Sequence, residues 1–407
     1  MSVRRSVLWI TPQPPHTVVG GGGIRQAYFL RALAEAADVD LLVAGPEPLT
    51  DEDVRGMCRS VIECAAVPRD VQSGTVRKGT ISARLTYLRS ALGPEGPGEV
   101  YVARNAARLV GAELRRLDAA NAYDAVVVQH AAFSRLLPKQ RRGRWVCELD
   151  RLGSIDMHQL KDITTGARQR WLYGREEAAY RRLERWIGNS YDSVIGVSDE
   201  DLAAVPGRTI AIANGVDTAR FTASPLPAAP KLVMTGYLGT PPNVTGALWL
   251  CREVLPIVQA AVPAATLEIV GGAPTDEVRR LGDLPGVAVH ADVPDIVPYL
   301  SAARVAVVPL VMGSGTRLKA LEAFAAGRPV AGTSIGLTGL GVADGTGALI
   351  GDSPSDLAER IVRLLDDDGL AAKLVTDGLA IAGRHDWRAL GDGYVAAVFG
   401  DAASSID

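Results

Sequence analysis

The run Gly313-Ser314-Gly315-Thr316-Arg317-Leu318-Lys319-Ala320-Leu321-Glu322, continued by Ala323-Phe324-Ala325-Ala326-Gly327-Arg328-Pro329-Val330, joins a glycine turn, a helix start carrying two cations and a following strand. Residues of these types in this order suit a diphosphate. Gly313 and Gly315 let backbone approach a ligand, and Thr316 can cap the helix, whose free N–H groups and positive dipole end then face any anion nearby. Arg317 and Lys319 oppose that dipole, an unfavourable placement unless an anion sits between them. Glu322 lies about a turn further in, and Gly327 and Pro329 stop the helix.

Other residues are candidates on weaker grounds. Gly20 to Gly23 precede Arg25, but the GxGxxG spacing fails, because its sixth position is Arg25 counted from Gly20 and Gln26 counted from Gly21. A tight strand-to-helix turn is also missing, so a dinucleotide site is disfavoured. What remains is a flexible loop of Gly21, Gly22 and Gly23 before a helix, with Arg25 in its first turn, suited to closing over phosphate or acceptor sugar. His130 follows one apolar strand and Asp150 ends the next, both at carboxyl ends, where a histidine can position a hydroxyl and a carboxylate can act as a base. Asp38-Val39-Asp40 has the DxD form of some metal sites, but at the amino end of its strand it reads as a turn. The 313 loop is not a Walker A loop, since no GK[ST] closes it.

These residues need elements to position them. The pattern alternates through a first strand at 6–11, a helix over 25–36, a strand at 39–44, helices near 82–92 and 102–117, and strands at 125–129, 145–149 and 193–197. A long charged helix is expected over 159–186. Its stretch 169–186 mixes arginines, glutamates and aromatics; a membrane-surface helix has that composition, but the mixed signs favour an ion-paired, solvated one. A second series follows with strands at 209–213, 231–235, 266–270, 287–290, 305–309 and 329–332, and helices over 245–260 and 296–302. Alternation of this kind indicates parallel βαβ units. The expected domains are 1–205 and 206–387, with a last helix in 388–407 packing back on the first.

The chain has 407 residues, enough for two domains, with 47% hydrophobic and 22% charged residues. A net charge of −3 leaves no general footprint for nucleic acid, so an anionic ligand must meet a local site. Cys58, Cys64, Cys147 and Cys251 form no CxxC pair and are expected as buried thiols. No run reaches the roughly 18 to 20 apolar residues of a membrane span. The expectation is a soluble, cytoplasmic protein with at most peripheral membrane contact.

Taken together, the GGGG-Ile24-Arg25 loop, Asn214-Gly215-Val216-Asp217, Gly236-Tyr237-Leu238 with Pro242-Asn243, the Gly271-Gly272 turn and the 313–330 block resemble the retaining glycosyltransferases of family 4, which have the GT-B fold. The resemblance spans nearly the whole chain in order. It implies an α/β protein of two Rossmann-like parallel-sheet domains facing across a cleft, with acceptor held by the first and a nucleotide diphosphate sugar, a UDP-sugar for preference, by the second. It implies that Arg317 and Lys319 meet the diphosphate, that Glu322 accepts from the ribose hydroxyls, and that His290 to Val293 frame the base. Gly236, Asn243, Gly271, Gly313, Ser314, Gly315 and Thr316 line the donor, and His130 stands near the reacting sugar. No metal or cofactor is implied, and the chain is expected as a monomer or homodimer. One departure is Ser314, where the family places a glutamate. Two alternatives are a nucleotide-sugar 2-epimerase, against which the NGVD and GTRLK segments speak, and a silent sugar-nucleotide binding protein.

Overall fold

The computed structural model describes residues 4–17, 21–45, 47–64, 110–117, 122–313 and 317–401. The chain divides into two units, Met1–Ala213 with Leu390–Asp407, and Asn214–Ala389. The helix expected over 82–92 lies outside the described residues; of the one expected over 102–117, residues 110–117 are described and helical.

In the first unit a seven-stranded sheet has the order β3-β2-β1-β4-β5-β6-β7, with every pair parallel. The strands are β1 (Arg5–Thr11), β2 (Ala37–Val43), β3 (Ser60–Glu63), β4 (Ala125–Gln129), β5 (Arg144–Leu149), β6 (Ser193–Gly196) and β7 (Thr209–Ala211). The middles of β1 and β4 read as continuous apolar runs because both faces of a parallel sheet are covered, and β5 does so but for the buried Glu148. Val7 to Ile10 and Ala125 to Val128 are accordingly buried to the last atom or nearly so. Edge strand β3 went unrecognised in the sequence: its two apolar residues, Val61 and Ile62, are only partly buried, which leaves little pattern.

Three corrections follow. The segment at 209–213 does not open the second series: Val194 to Gly196 of β6 pair with Thr209 to Ala211, making β7 the last strand of the first sheet and moving the division from 205 to 213. Asp38 and Asp40 are not a turn but lie within β2, where buried Asp40 accepts from Arg59, Ser60 and Tyr123. The long charged helix is two, α2 (Gly153–Ile163) and α3 (Ala167–Ser190), broken at Thr164-Thr165-Gly166. Gly153 lets the two helices approach, since a Cβ there would stand 2.4 Å from the Tyr180 ring.

Helix α1 (Gly21–Ala36) begins within the glycine run, so Gly21 to Gly23 are helical where a flexible loop was expected. Cys147 and Cys251 are buried, but Cys58 and Cys64 are only partly so. Burial pushes the Cys58 and Cys251 thiols up to about 11 and about 12, which keeps them protonated at neutral pH.

The second unit repeats the plan in the order β10-β9-β8-β11-β12-β14-β13. Its strands are β8 (Lys231–Thr235), β9 (Thr266–Gly271), β10 (Val287–Ala291), β11 (Val305–Val308), β12 (Val330–Gly332), β13 (Ala343–Asp344) and β14 (Gly347–Ile350). Helix α4 (Pro241–Trp249) follows β8, and α5 (Leu318–Ala325) joins β11 to β12. The last helix, α6 (Trp387–Phe399), spans the division, and from Leu390 onward it belongs to the first unit. There the Tyr394 ring stacks on Phe29 at 4.1 Å.

Candidate functional site

In the second unit the carboxyl ends of β8 and β9 and the start of α5 bring the donor candidates together. Such ends gather free backbone groups and are where open parallel sheets hold ligands. Helix α5 buries Ala320, Leu321, Ala323 and Phe324, so Lys319 and Glu322, three residues apart, share its other face. Lys319 Nζ lies 2.5 Å from Asn243 Oδ1, and Asn243 Nδ2 donates to the Tyr237 carbonyl at 2.7 Å and to Thr240 Oγ1 at 3.1 Å. The amide is thereby turned so that its oxygen faces the lysine.

Glycine makes this geometry possible. Gly236 has φ +148°, and a Cβ on it would fall 2.9 Å from Lys319 Nζ. A Cβ on Gly271 would fall 1.7 Å from the Gly236 carbonyl oxygen, so the ends of β8 and β9 touch backbone to backbone. Gly313, at φ +114°, faces Arg317 Nη1, which a Cβ would meet at 3.3 Å.

Arg317 is buried, 8% exposed, and donates to the Gly313 carbonyl at 2.6 Å and the Ile335 carbonyl at 3.1 Å. Part of its donor set thus fastens the loop, a role its sequence position did not announce. It stands immediately before the helix, not within its first turn. Ser314, Gly315 and Thr316 lie outside the described residues.

The charges carry a strain. Lys319 and Glu322 are both partly buried, and desolvation dominates the behaviour of their ionisable groups. Burial, with Arg317 repelling, lowers Lys319 from 10.5 to about 7, against the pull of Glu322. Burial likewise raises Glu322 to about 7, against the attraction of Arg220 and Lys319. At neutral pH the site therefore holds a lysine near its titration midpoint, which an incoming anion would charge.

Arg220 was missed in the sequence. Asp217 of the NGVD segment accepts from the Ala219 and Arg220 amides at 3.0 and 3.1 Å, a turn that sets Arg220 near Glu322 and in an ion pair with Asp295 at 2.8 Å. The acidic turn residue three positions ahead was the available signal. His290, next to last in β10, packs at 4.7 Å against the Tyr299 ring, and Val293 is partly buried against the core. Between them Asp292, at φ +52°, accepts from the Ala273 amide at 2.6 Å.

In the first unit, His130 has φ +75° and its amide donates to the Glu148 carbonyl at 2.9 Å. Asp150 Oδ2 lies against the start of α1, 3.0 Å from where a Cβ on Gly22 would be. Gly22 and Asp150 are thus brought together at the carboxyl edge of the first sheet. Arg25 is not at the surface. It is 1% exposed, its Nε donates to Glu148 at 2.6 Å, and its Nη1 donates to the Ile212 and Ala213 carbonyls. This corrects the expectation of a phosphate-loop arginine, because helix α1 turns its side chain inward onto a buried acid. Glu148 also accepts from Gln129 at 2.6 Å and Tyr394 at 2.5 Å. Among the described residues, no cluster of metal-ligating side chains is found.

Two parallel seven-stranded sheets flanked by helices, with a candidate site at the carboxyl edge of the second, define the fold of the GT-B glycosyltransferases. Residues 229–367 match the family described as glycosyl transferases group 1. Similar solved structures include a sucrose-phosphate synthase from Thermosynechococcus elongatus, 22% identical over 95% of this chain and 96% of that one, with a TM-score of 0.70. HepE of Anabaena in complex with UDP and glucose is 15% identical over 97% of this chain and 100% of that one, TM-score 0.63. WaaG, a glycosyltransferase involved in lipopolysaccharide biosynthesis, has the same identity and coverage with a TM-score of 0.62. Among curated proteins no sequence match was found.

Proposed function

We propose that the chain is a retaining glycosyltransferase of family 4 type that moves a sugar from a nucleotide diphosphate sugar, a UDP-sugar, to a hydroxyl of a small-molecule or glycan acceptor. The observation that carries this reading is the Lys319–Asn243 pair beside Arg317 and two close-packed glycine turns, with the lysine's proton affinity cut to about 7. A desolvated lysine that gains its full charge when an anion arrives is suited to a diphosphate. It is also suited to stabilising the charge on a departing nucleoside diphosphate, where glycosyl transfer most needs electrostatic help.

In this reading Lys319 and Arg317 hold the diphosphate and take the place of a metal ion, and Glu322 accepts from the ribose hydroxyls. The turn from His290 to Val293 borders the base. Gly236, Gly271 and the 313–316 loop line the donor, with Ser314 toward the sugar. His130, Asp150 and the start of α1 from Gly21 to Gly23 are assigned to the acceptor. The acceptor then belongs to the first unit and the donor to the second, and the reaction to the cytoplasm. The match of residues 229–367 to a glycosyltransferase family supports the donor half, and UDP in the HepE structure supports the choice of base.

A thermal-shift screen against UDP, GDP, ADP and TDP with their sugars tests it. A ligand that binds only the native protein must raise its melting point, by about 2.7 kcal/mol of stability at a hundredfold excess over Kd. UDP is expected to give the largest shift, followed by UDP release when donor and acceptor are mixed; no shift with any diphosphate would overturn the assignment.

A further inference from the structure

The turns that follow β8 and β9 run side by side. The Leu238 amide donates to the Gly272 carbonyl at 2.8 Å, and a Cβ on Gly239 would fall 2.8 Å from the Ala273 carbonyl oxygen. Tyr237 stands in the first of these turns. A Cβ on Gly239 would meet its Cε1 at 3.3 Å, and one on Gly272 would meet its Cδ2 and Cε2 at 3.4 and 3.6 Å. Cε1 and Cδ2 lie on opposite sides of the ring, so the two glycines bound it across its width. The side chain is nevertheless 45% exposed. One exposed aromatic residue is ordinary, but this one is held by backbone on both sides at the edge of a candidate site.

The sheet order gives the ring a direction. Lys319 reaches the end of β8 from α5, on the β11 side, whereas the Tyr237 ring meets the turn of β9, which lies toward β10. Past that turn comes the segment from His290 to Val293. A Cβ on Gly272 would fall 3.8 Å from Asp292 Oδ1, the oxygen that accepts from the Ala273 amide at 2.6 Å. Tyr237 thus lies between the lysine assigned to the diphosphate and the turn assigned to the base.

We propose that Tyr237 binds the nucleobase of the donor, its ring face stacking on the base while the turn from His290 to Val293 meets the base edge. This role depends on the reading of the site as one for a nucleotide diphosphate sugar, and adds to it the residue that holds the nucleoside. Every base has a π face, so stacking adds affinity without choosing among bases, and the choice falls to the polar atoms of the turn. A phosphate gains nothing from the ring face, whose π cloud is negative. The transferred sugar is bonded at the far end of the diphosphate from the base, and so belongs on the other side of Lys319.

Calorimetric titration of the full chain with UDP and with inorganic pyrophosphate, a diphosphate without a nucleoside, tests this. Tyr237→Ala should weaken UDP binding at least about fivefold and leave pyrophosphate binding unchanged. Tyr237→Phe keeps the ring face and should bind UDP as wild type does. In wild type and Tyr237→Phe the ring current should move the uracil H5 and H6 resonances of bound UDP upfield, and in Tyr237→Ala it should not, a signature that loosened packing would not produce. Because the side chain is half-exposed and the two turns are tied by backbone, both variants should melt close to wild type, which separates stacking from misfolding. Equal losses for UDP and pyrophosphate, a Phe variant as weak as the Ala variant, or an Ala variant that binds UDP as wild type does would overturn the proposal and leave the donor reading standing. Failure of wild type to bind UDP would instead overturn the donor reading, and this role with it.

Discussion

Replacing Lys319 by Met keeps the stem's bulk and removes the charge, and its effect on stability should change with pH. The fall of the lysine from 10.5 to about 7 is worth about 5 kcal/mol, at about 1.4 kcal/mol per pH unit, of preference for the neutral form in the folded protein. Below about pH 7 the lysine is charged folded and unfolded, and the whole cost of desolvating that charge falls on the native state. Between about 7 and 10.5 the unfolded chain holds a proton that the folded one does not, so wild-type stability from this group rises with pH. Glu322, close enough to share the cost, and the lost hydrogen bond to Asn243 reduce what the substitution returns to roughly 2 kcal/mol. Lys319→Met without ligand should therefore melt about 4–8 °C above wild type at pH 6, with the gain vanishing by pH 9. In the same melts, the rise produced by UDP should require at least about tenfold more nucleotide. A variant that melts below wild type at pH 6 and keeps the full UDP shift would refute both the strain and the diphosphate contact.

The same two groups set a pH profile for binding. UDP affinity should peak near pH 7, falling on the alkaline side as Lys319 loses its proton and on the acid side as Glu322 gains one; calorimetry across pH 5.5–9 checks this, and Lys319→Met should erase the alkaline limb alone. Arg317→Ala should lower turnover at least about tenfold and also reduce stability by about 1–3 kcal/mol, since the Gly313 and Ile335 carbonyls lose their donor; steady-state rates and urea melts read the two effects separately. Gly271→Ala should leave little folded protein, because its methyl would lie 1.7 Å from the Gly236 oxygen, and a normal melt would show that the turn can open. Glu148→Ala should cost about 3–5 kcal/mol by stranding the buried Arg25 charge, whereas Glu148→Gln should cost less; urea unfolding distinguishes them.

Much of the second unit was legible in the chain because its signals are local. The apolar runs at 231–235 and 305–308, the glycine turns after 235 and 270, and the cations at 317 and 319 each act within a few residues of themselves. The limits of the sequence appear where the deciding contact is distant. Nothing near Arg25 announces that it pairs with Glu148, 123 residues away, and so does not serve as a surface cation. Thr209 to Ala211 look like the start of a new series until β6 is seen beside them.

The sequence by itself determined the alternation of strands and helices, the glycine turns and the types of charge at the candidate site, because periodicity, turn chemistry and capping are properties of neighbours along the chain. Only the tertiary structure decided which charges are strained and which are spent. It desolvates Lys319 and Glu322 so that both titrate near neutrality, turns Arg317 partly and Arg25 wholly to internal partners, and leaves the Tyr237 ring half-exposed. Burial is set by what packs from elsewhere, and burial fixes the energy of a charge.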